Sequence, residues 1–215
     1  MKKIAVIGLG RFGEAVSVAL RASGHEVLGI DIEETRTQAL ADALSHVVQA
    51  DATREGVLAD LGLASFDGAV VAMGADIEAS VLVTVLLKEL GVKQVIARAS
   101  SAIHGKVLAK VGADRVVFPE RDMGSRVAQG LLNPDVLEQF ELLPDYSIAE
   151  VNAAEFTHGH SLRDLDLRQR FGANVILIRR GDSVNASPGA DDVILEGDVL
   201  VVSGPNEGLR RMGTL

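Results

Sequence analysis

The sequence predicts an α/β protein with a doubly wound parallel sheet, followed by a smaller α+β module. Up to about residue 118, short β-branched runs alternate with segments of helical periodicity, which is the pattern of βαβ units. The runs are continuously apolar, as expected of parallel strands that helices cover on both faces. Asn133-Pro134 then breaks the pattern. We therefore predict an N-terminal domain over 1–118, a crossover helix and hinge over 119–135, and a C-terminal domain over 136–215.

The predicted N-terminal domain alternates strands with helices in order along the chain. Its six strands are short apolar runs, namely Lys3–Ile7, Glu26–Ile30, His46–Gln49, Gly68–Ala72, Gln94–Ala97 and Arg115–Phe118. Helices are indicated by apolar spacing and by glycines placed where helices end. They are Phe12–Arg21, Glu33–Leu44, Ile77–Leu90, Ser101–Val111 and a segment from Pro119 to about Leu132.

The predicted C-terminal module has five strands and one helix. The strands are Val136–Leu142, Ser147–Asn152, Asn174–Arg179, Asp192–Leu195 and Val199–Ser203, and the helix is Ser161–Arg170. A unit of about 75 residues builds only a small core, so we expect it to dimerise.

Charge and composition exclude several classes of function. The 215 residues include 21 Lys+Arg and 30 Asp+Glu, a net charge of −9, with no cationic run longer than two, which argues against a nucleic-acid partner. The absence of cysteine excludes disulfides, thiolate zinc sites and cysteine nucleophiles. No signal peptide and no run of roughly 18 apolar residues is seen, which predicts a cytoplasmic protein.

The motif Gly8-Leu9-Gly10-Arg11-Phe12-Gly13 lies between a predicted strand and a predicted helix. In that context the glycines allow a tight turn, a close approach of a phosphate and close helix–strand packing, so the domain is predicted to be of the Rossmann type. Asp31 follows Gly13 by 18 residues, where a carboxylate accepts hydrogen bonds from ribose hydroxyls and repels a 2′-phosphate. The alternative is a glycine turn that only packs a helix on a strand.

Further candidates follow the other predicted strands. Asp51, in Asp51-Ala52-Thr53, either accepts from an adenine amino group or caps the next helix. Gly74-Ala75 is either a ligand contact or a plain turn. The remaining four lie on the expected ligand edge. Arg11 is either a phosphate partner or a surface residue, and His104 is either a nucleotide contact or an exposed first-turn residue. Arg98 is a further candidate, and Glu120 is either a ligand for a hard cation or a carboxylate at a helix N-terminus that needs no metal.

The sequence contains no obvious catalytic set. A dehydrogenase needs a proton donor or acceptor beside the nicotinamide, usually on a large second domain. The short C-terminal module supplies no such constellation, so the nucleotide is predicted to be a signal rather than a substrate, and the protein is predicted not to be an enzyme.

The whole chain resembles a known family. The segments VIGLGRFG, GHEVLGIDI, QADAT, VVAMGADIEASVL, HGKVLAKVGADRVVFPERDMG and SLRDLDLRQRFGANVILIRRGD are similar to those of RCK proteins, regulators of K⁺ conductance, and most closely to the KtrA-type subunits of bacterial Ktr potassium uptake systems. The resemblance implies homodimers in an octameric ring, bound at the inner face of the membrane to a KtrB-type potassium-translocating subunit. It also implies that ATP and ADP compete for the N-terminal domain and switch the ring.

The resemblance also implies ligand residues. The nucleotide positions are Gly8, Gly10, Arg11, Gly13, Asp31, Ile32, Asp51, Ala52, Met73, Gly74, Ala75, Arg98, His104 and Glu120, with Glu120 also holding Mg²⁺ or Ca²⁺ between neighbouring subunits. A cyclic di-AMP site in the C-terminal module is implied at Leu162, Arg163, Asp164, Arg168, Asn174, Val175 and Pro188. Two alternatives stay open, an NAD(H)-sensing RCK protein of the TrkA type and a small NAD-dependent oxidoreductase.

Overall fold

The computed structural model describes residues 1–74, 76–132 and 136–213. By internal contacts the chain divides into two units, Met1–Asp122 and Met123–Leu215. This division falls inside the predicted crossover helix. Ala75 and the predicted break at Asn133-Pro134 lie outside the described residues, and the domain bounds given above stay predictions.

The first unit is built on a six-stranded parallel sheet in the order β3-β2-β1-β4-β5-β6. Its strands are β1 (Lys3–Ile7), β2 (Glu26–Asp31), β3 (His46–Gln49), β4 (Gly68–Val71), β5 (Val95–Arg98) and β6 (Arg115–Val117). Every strand lies where the sequence predicted one, to within one residue at each end. The predicted doubly wound parallel sheet is confirmed.

Helices connect these strands and cover both faces of the sheet. They are α1 (Arg11–Ala22), α2 (Glu34–Leu40), α3 (Val57–Asp60), α4 (Ile77–Glu89), α5 (Ala102–Lys110) and α6 (Pro119–Leu132). Asp76 and Ser101 cap α4 and α5 by accepting hydrogen bonds from main-chain N–H groups. Gly24, Gly91 and Gly112 have positive φ just beyond α1, α4 and α5, which is the backbone conformation that ends a helix.

The hydrophobic core explains why the strand runs are continuous. One face of the sheet packs Ile7, Val71 and Val95 against Leu58, Leu87 and Leu108, with further buried side chains around them. The opposite face forms a separate cluster around Val6, Val27 and Val70. Because β1 pairs with β2 on one side and with β4 on the other, the chain reverses direction across the sheet there and a crevice opens at the carboxyl ends of these strands.

The second unit contains an antiparallel sheet in the order β10-β9-β11-β8-β7. Its strands are β7 (Val136–Leu143), β8 (Tyr146–Asn152), β9 (Asn174–Arg180), β10 (Ser183–Asn185) and β11 (Val199–Pro205), and its helices are α7 (Leu162–Leu165), α8 (Leu167–Phe171) and α9 (Asn206–Gly213). Phe171, Ile194 and Leu200 are at the centre of its core. The predicted α+β module is confirmed.

Three sequence predictions are wrong in detail. The helix predicted over Glu33–Leu44 ends at Leu40, and turns follow. The helix predicted over Ser161–Arg170 is broken at Asp166, whose φ of 41° is left-handed. The segment Asp192–Leu195 is not a strand and makes a single bridge, from Val193 to Ser161. Three further elements, β10, α3 and α9, were not predicted from the sequence.

No helix within the described ranges is long and apolar enough to cross a membrane.

Candidate nucleotide groove

A groove of about 550 Å³ lies at the carboxyl ends of the central strands of the parallel sheet. Nine of the residues predicted for the nucleotide site line it, namely Gly8, Gly10, Asp31, Ile32, Asp51, Ala52, Met73, Gly74 and Arg98. Eight further residues complete its lining: Ile7, Glu33, Arg36, Ala50, Thr53, Ala72, Asp76 and Ala79. The structure thus brings together residues from four separate loops.

The three glycines of the loop between β1 and α1 have different roles. Gly8 has φ of +92°, and a Cβ there would lie 3.0 Å from Met73 Cγ. A Cβ on Gly13 would lie 1.9 Å from the carbonyl oxygen of Gly8, so α1 can pack this closely only without a side chain. A Cβ on Gly10 would have nothing within 4 Å. Gly10 is therefore the position that leaves space for a ligand.

The amino end of α1 offers free donors beside Gly10. Gly10 precedes the helix without a side-chain cap, and the first hydrogen bond of the helix runs from Glu14 N–H to the Gly10 carbonyl. The N–H groups of the preceding residues have no acceptor within the helix, and the helix dipole adds positive potential. A phosphate at Gly10 would meet both.

Asp31 joins two loops at one end of the groove. Asp31 is only 5% exposed. Its Oδ2 accepts from Leu9 N–H at 2.6 Å, and its Oδ1 accepts from Glu33 N–H at 2.9 Å. Arg36 Nη1 lies 3.4 Å from the same Oδ2, and Arg36 Nη2 lies 2.9 Å from Glu33 Oε1. The carboxylate is held in place by main-chain donors before any ribose arrives.

Asp51 lines the groove. It does not cap the next helix, since α3 begins at Val57 after Gly56, so the helix-cap interpretation is wrong. Its Oδ1 also accepts from the hydroxyl and the N–H of Thr53, at 2.6 and 3.0 Å. These hydrogen bonds from Thr53, the hydroxyl first, lower the pKa of Asp51. Asp51 therefore stabilises its own turn and also lines the groove.

Arg98 lies at the other end of the groove, at the carboxyl end of β5. Its guanidinium packs against Gly74, where a Cβ would lie 2.8 Å from Nη1. Nη2 donates to Glu120 Oε1 at 2.5 Å. Nε is buried and has no hydrogen-bond partner among the residues that the structure describes. An unpaired buried donor is costly, and an anionic ligand at this wall would satisfy it. The residues present therefore fit a ligand that carries a ribose and phosphates.

Four of the described residues that were predicted for the nucleotide site do not line this groove, namely Arg11, Gly13, His104 and Glu120. Arg11 is exposed on α1 and lines a separate shallow patch with Glu14 and Val18. Glu120 is exposed and pairs with Arg98. Gly13 acts through packing, as described above. Ala75 lies outside the described residues.

His104 is neither at the groove nor exposed, which corrects both interpretations of this residue. It is 2% exposed, and its Nε2 lies 2.7 Å from Ser80 Oγ on α4. Ser100 N–H donates to Nδ1 at 3.3 Å. The neutral ring therefore carries its proton on Nε2 and links α4 to the end of β5 from inside the protein. Burial lowers the pKa of His104.

Glu120, the residue predicted to hold a cation, is paired with Arg98. The Arg98 guanidinium, followed by smaller contributions that include Arg11, holds the pKa of Glu120 below its usual range. Among the residues that the structure describes, no three His, Asp or Glu side chains lie close enough to form a metal site.

The residues predicted for cyclic di-AMP lie in two parts of the second unit. Leu162, Arg163 and Asp164 begin α7, and main-chain bonds join the first two to Asp192 and Ala190, in the loop that follows Pro188. Arg163 also pairs with Asp191 at 3.0 Å. Arg168 is exposed on α8, whereas Asn174 and Val175 begin β9 and pair with β11.

Arg36 is the charged side chain nearest Asp31 among the eight groove residues that were not predicted from the sequence. The available signal was its place in the first helix after Asp31, where an arginine next to the ribose acceptor faces the ligand.

Comparison with known proteins identifies the family. The TrkA-N domain model matches residues 4–119 and the TrkA-C domain model matches residues 150–215. Ktr system potassium uptake protein C of Bacillus subtilis is 45% identical over 203 residues, which are 94% of this chain and 92% of that protein. The chain belongs to the RCK family and is of the Ktr type. The prediction that this RCK protein is not an enzyme is confirmed, since its close relatives are potassium uptake proteins.

Solved structures agree with this assignment. The crystal structure of the GsuK RCK domain has a TM-score of 0.69 and 21% identity, covers 100% of the RCK protein and 47% of that chain, and shows a shared fold. A structure of GsuK bound to ADP is 27% identical, has a TM-score of 0.52, and covers 62% of the RCK protein and 34% of that chain. The RCK protein thus spans nearly the whole Bacillus relative and less than half of each GsuK chain.

Proposed function

We propose that this RCK protein is the nucleotide-gated regulatory subunit of a potassium uptake system, acting from the cytoplasmic side of the membrane. The observation that carries the proposal is the groove itself, which has a ribose acceptor fixed at Asp31 and an incompletely paired guanidinium at Arg98. Its partner would be a membrane-embedded potassium-translocating subunit, and eight copies of the protein would form a ring.

ATP and ADP are the proposed ligands, and GsuK bound to ADP supports an adenine nucleotide at this fold. Each nucleotide would shift the ring between conformations by no more than its difference in affinity for them. The γ-phosphate is the chemical difference between the two, so the groups at Arg98 and at the exposed Arg11 are proposed to sense it. A hard cation at Glu120 would complete its ligands with phosphate oxygens or with groups of a neighbouring subunit.

Cyclic di-AMP is proposed as a second ligand, at the residues named above in the second unit. A dinucleotide shared by two copies would stabilise their association by mass action.

A thermal-shift titration of the purified protein with ATP, ADP, NAD⁺, NADH and cyclic di-AMP, with and without Mg²⁺, tests the proposal. A ligand at about 100 times its dissociation constant adds roughly 2.7 kcal/mol of stability, which raises the melting temperature by several degrees. We expect shifts with ATP and ADP, and a separate shift with cyclic di-AMP. A shift with NADH and none with ATP or ADP would contradict the proposal and favour an NAD(H) sensor.

A further inference from the structure

The guanidinium at the Arg98 end of the groove is already bound to an anion of the same chain. Arg98 lines the groove with a side chain that is 22% exposed, whereas the paired Glu120 side chain is 64% exposed. Glu120 does not line the groove. The pair therefore consists of a fixed cation in the wall and a carboxylate held outside it.

The guanidinium is confined more tightly than its partner. Gly74 leaves no room for a Cβ, which would lie 2.8 Å from Nη1 and 2.9 Å from Cζ of Arg98. Within the described part of the chain Nε is buried without a partner, so Glu120 satisfies only part of the donor set. A phosphate has three acceptor oxygens and competes for the same donors with a better geometric match than a single carboxylate contact.

Glu120 lies at the start of a helix that leaves the first unit. It is the second residue of α6, which begins at Pro119 and continues along the chain beyond Asp122, where the first unit ends.

We propose that Glu120 is a displaceable latch: a phosphate entering the groove replaces the Glu120 carboxylate on Arg98 and releases the first turns of α6. This inference rests on the proposed function, because it needs a phosphate-bearing ligand in the groove. Nucleotide binding would then affect α6, and through it the rest of the chain, because it breaks the ion pair between Arg98 and Glu120. The carboxylate acts as a competitor of the ligand.

Calorimetric titration of the full-length protein with ADP in the presence of EDTA tests the latch. Glu120→Gln should bind ADP about five-fold more tightly than the parent, since an exposed pair of this kind is worth up to about that factor. Glu14→Gln is the matched control because Glu14 is exposed on the first turn of α1 and is not paired with Arg98. The control should change the ADP affinity by less than two-fold.

The outcomes separate the latch from the proposed function. Equal ADP affinity in the parent and Glu120→Gln, or equal gains in both variants, would overturn the latch and leave nucleotide binding intact. No ADP binding by any of the three proteins would overturn both. A melting curve checks that each variant is folded. In Glu120→Asp the carboxylate is kept but is one methylene shorter, so its ADP affinity can be compared with that of the parent without a change of charge.

Hydrogen exchange provides a second readout that does not depend on affinity. In the parent, ADP should accelerate exchange of the amides in the first two turns of α6, and in Glu120→Gln these amides should exchange fast before ADP is added. Exchange in the parent that stays unchanged or slows on ADP binding would overturn the release of α6.

Discussion

At one end of the groove the charged group is Asp31, 5% exposed and bonded to two main-chain N–H groups. At the other end it is Arg98, whose acceptor Glu120 is 64% exposed and is reached by a single side-chain contact. A buried carboxylate with backbone donors is costly to disturb, whereas an exposed ion pair contributes little and exchanges partners easily. The ribose end is therefore part of the fold, and the phosphate end is adjustable.

Gly13→Ala should have the largest effect, because the added Cβ would collide with the main chain of the loop that bonds Asp31. It would lie 1.9 Å from the Gly8 carbonyl oxygen, and overpacking costs about 1–3 kcal/mol, or more where the backbone must move. We expect the free energy of unfolding, measured with urea, to fall by that amount.

Gly10→Ala is the matched control from the same motif. Its Cβ would meet no atom of the described residues within 4 Å, so stability should change by less than about 1 kcal/mol. Its ADP affinity should nonetheless fall, since the methyl group occupies ligand space. Equal losses of stability in the two variants would show that the loop does not have the separate roles described here.

Asp31→Ala should have the next largest effect and tests whether the ribose end is structural. Removal of the carboxylate leaves the N–H groups of Leu9 and Glu33 without their acceptor. We expect a loss of about 2 kcal/mol in urea unfolding, together with a loss of ADP binding. Asp31→Asn keeps one oxygen acceptor and should lose less stability. If Asp31→Ala were as stable as the parent, the ribose end of the groove would not be structural.

The smallest effect concerns His104. Its ring accepts a hydrogen bond from the N–H of Ser100, which lies two residues after Arg98, and so holds the chain next to the phosphate end. Its pKa is lowered in the folded protein, so the unfolded chain binds the extra proton first as the pH falls. Stability should be complete above the unfolded pKa of about 6.5 and should decrease below it, by at most about 1.4 kcal/mol per pH unit.

Urea unfolding between pH 8 and pH 5.5 measures this dependence. His104→Gln, which does not titrate, should lose less stability than the parent over the same range. Identical slopes for the two proteins would mean that protonation of His104 does not contribute.

The parts of the fold that the sequence predicted are those with local causes. The six strands of the first unit are short runs rich in apolar residues, and the glycine motif with Asp31 has a spacing fixed by backbone geometry. Nine of the predicted nucleotide residues line one groove for the same reason, since the carboxyl ends of parallel strands meet at one edge.

The parts that could not be predicted depend on contacts between distant residues. Asp166 breaks a helix whose apolar spacing is regular, because Leu165 and Leu167, on either side, are both buried in the core. His104 has the position of an exposed first-turn residue, and it is buried because Ser80, 24 residues away, provides a partner for its ring. No spacing in the sequence records that pairing.

The segment after β10 is held by hydrogen bonds to two side chains instead of by a β-ladder. Asp198 is fully buried and accepts from Arg180 Nε and Nη2, both at 2.7 Å, and from Leu195 N–H, while Arg180 Nη2 donates to the Val193 carbonyl. Ladder bonds break one at a time from the end of a strand, but these four converge on two side chains. In native-state exchange this stretch should therefore open as one cooperative unit, with the amides on both sides of Ile194 losing protection together.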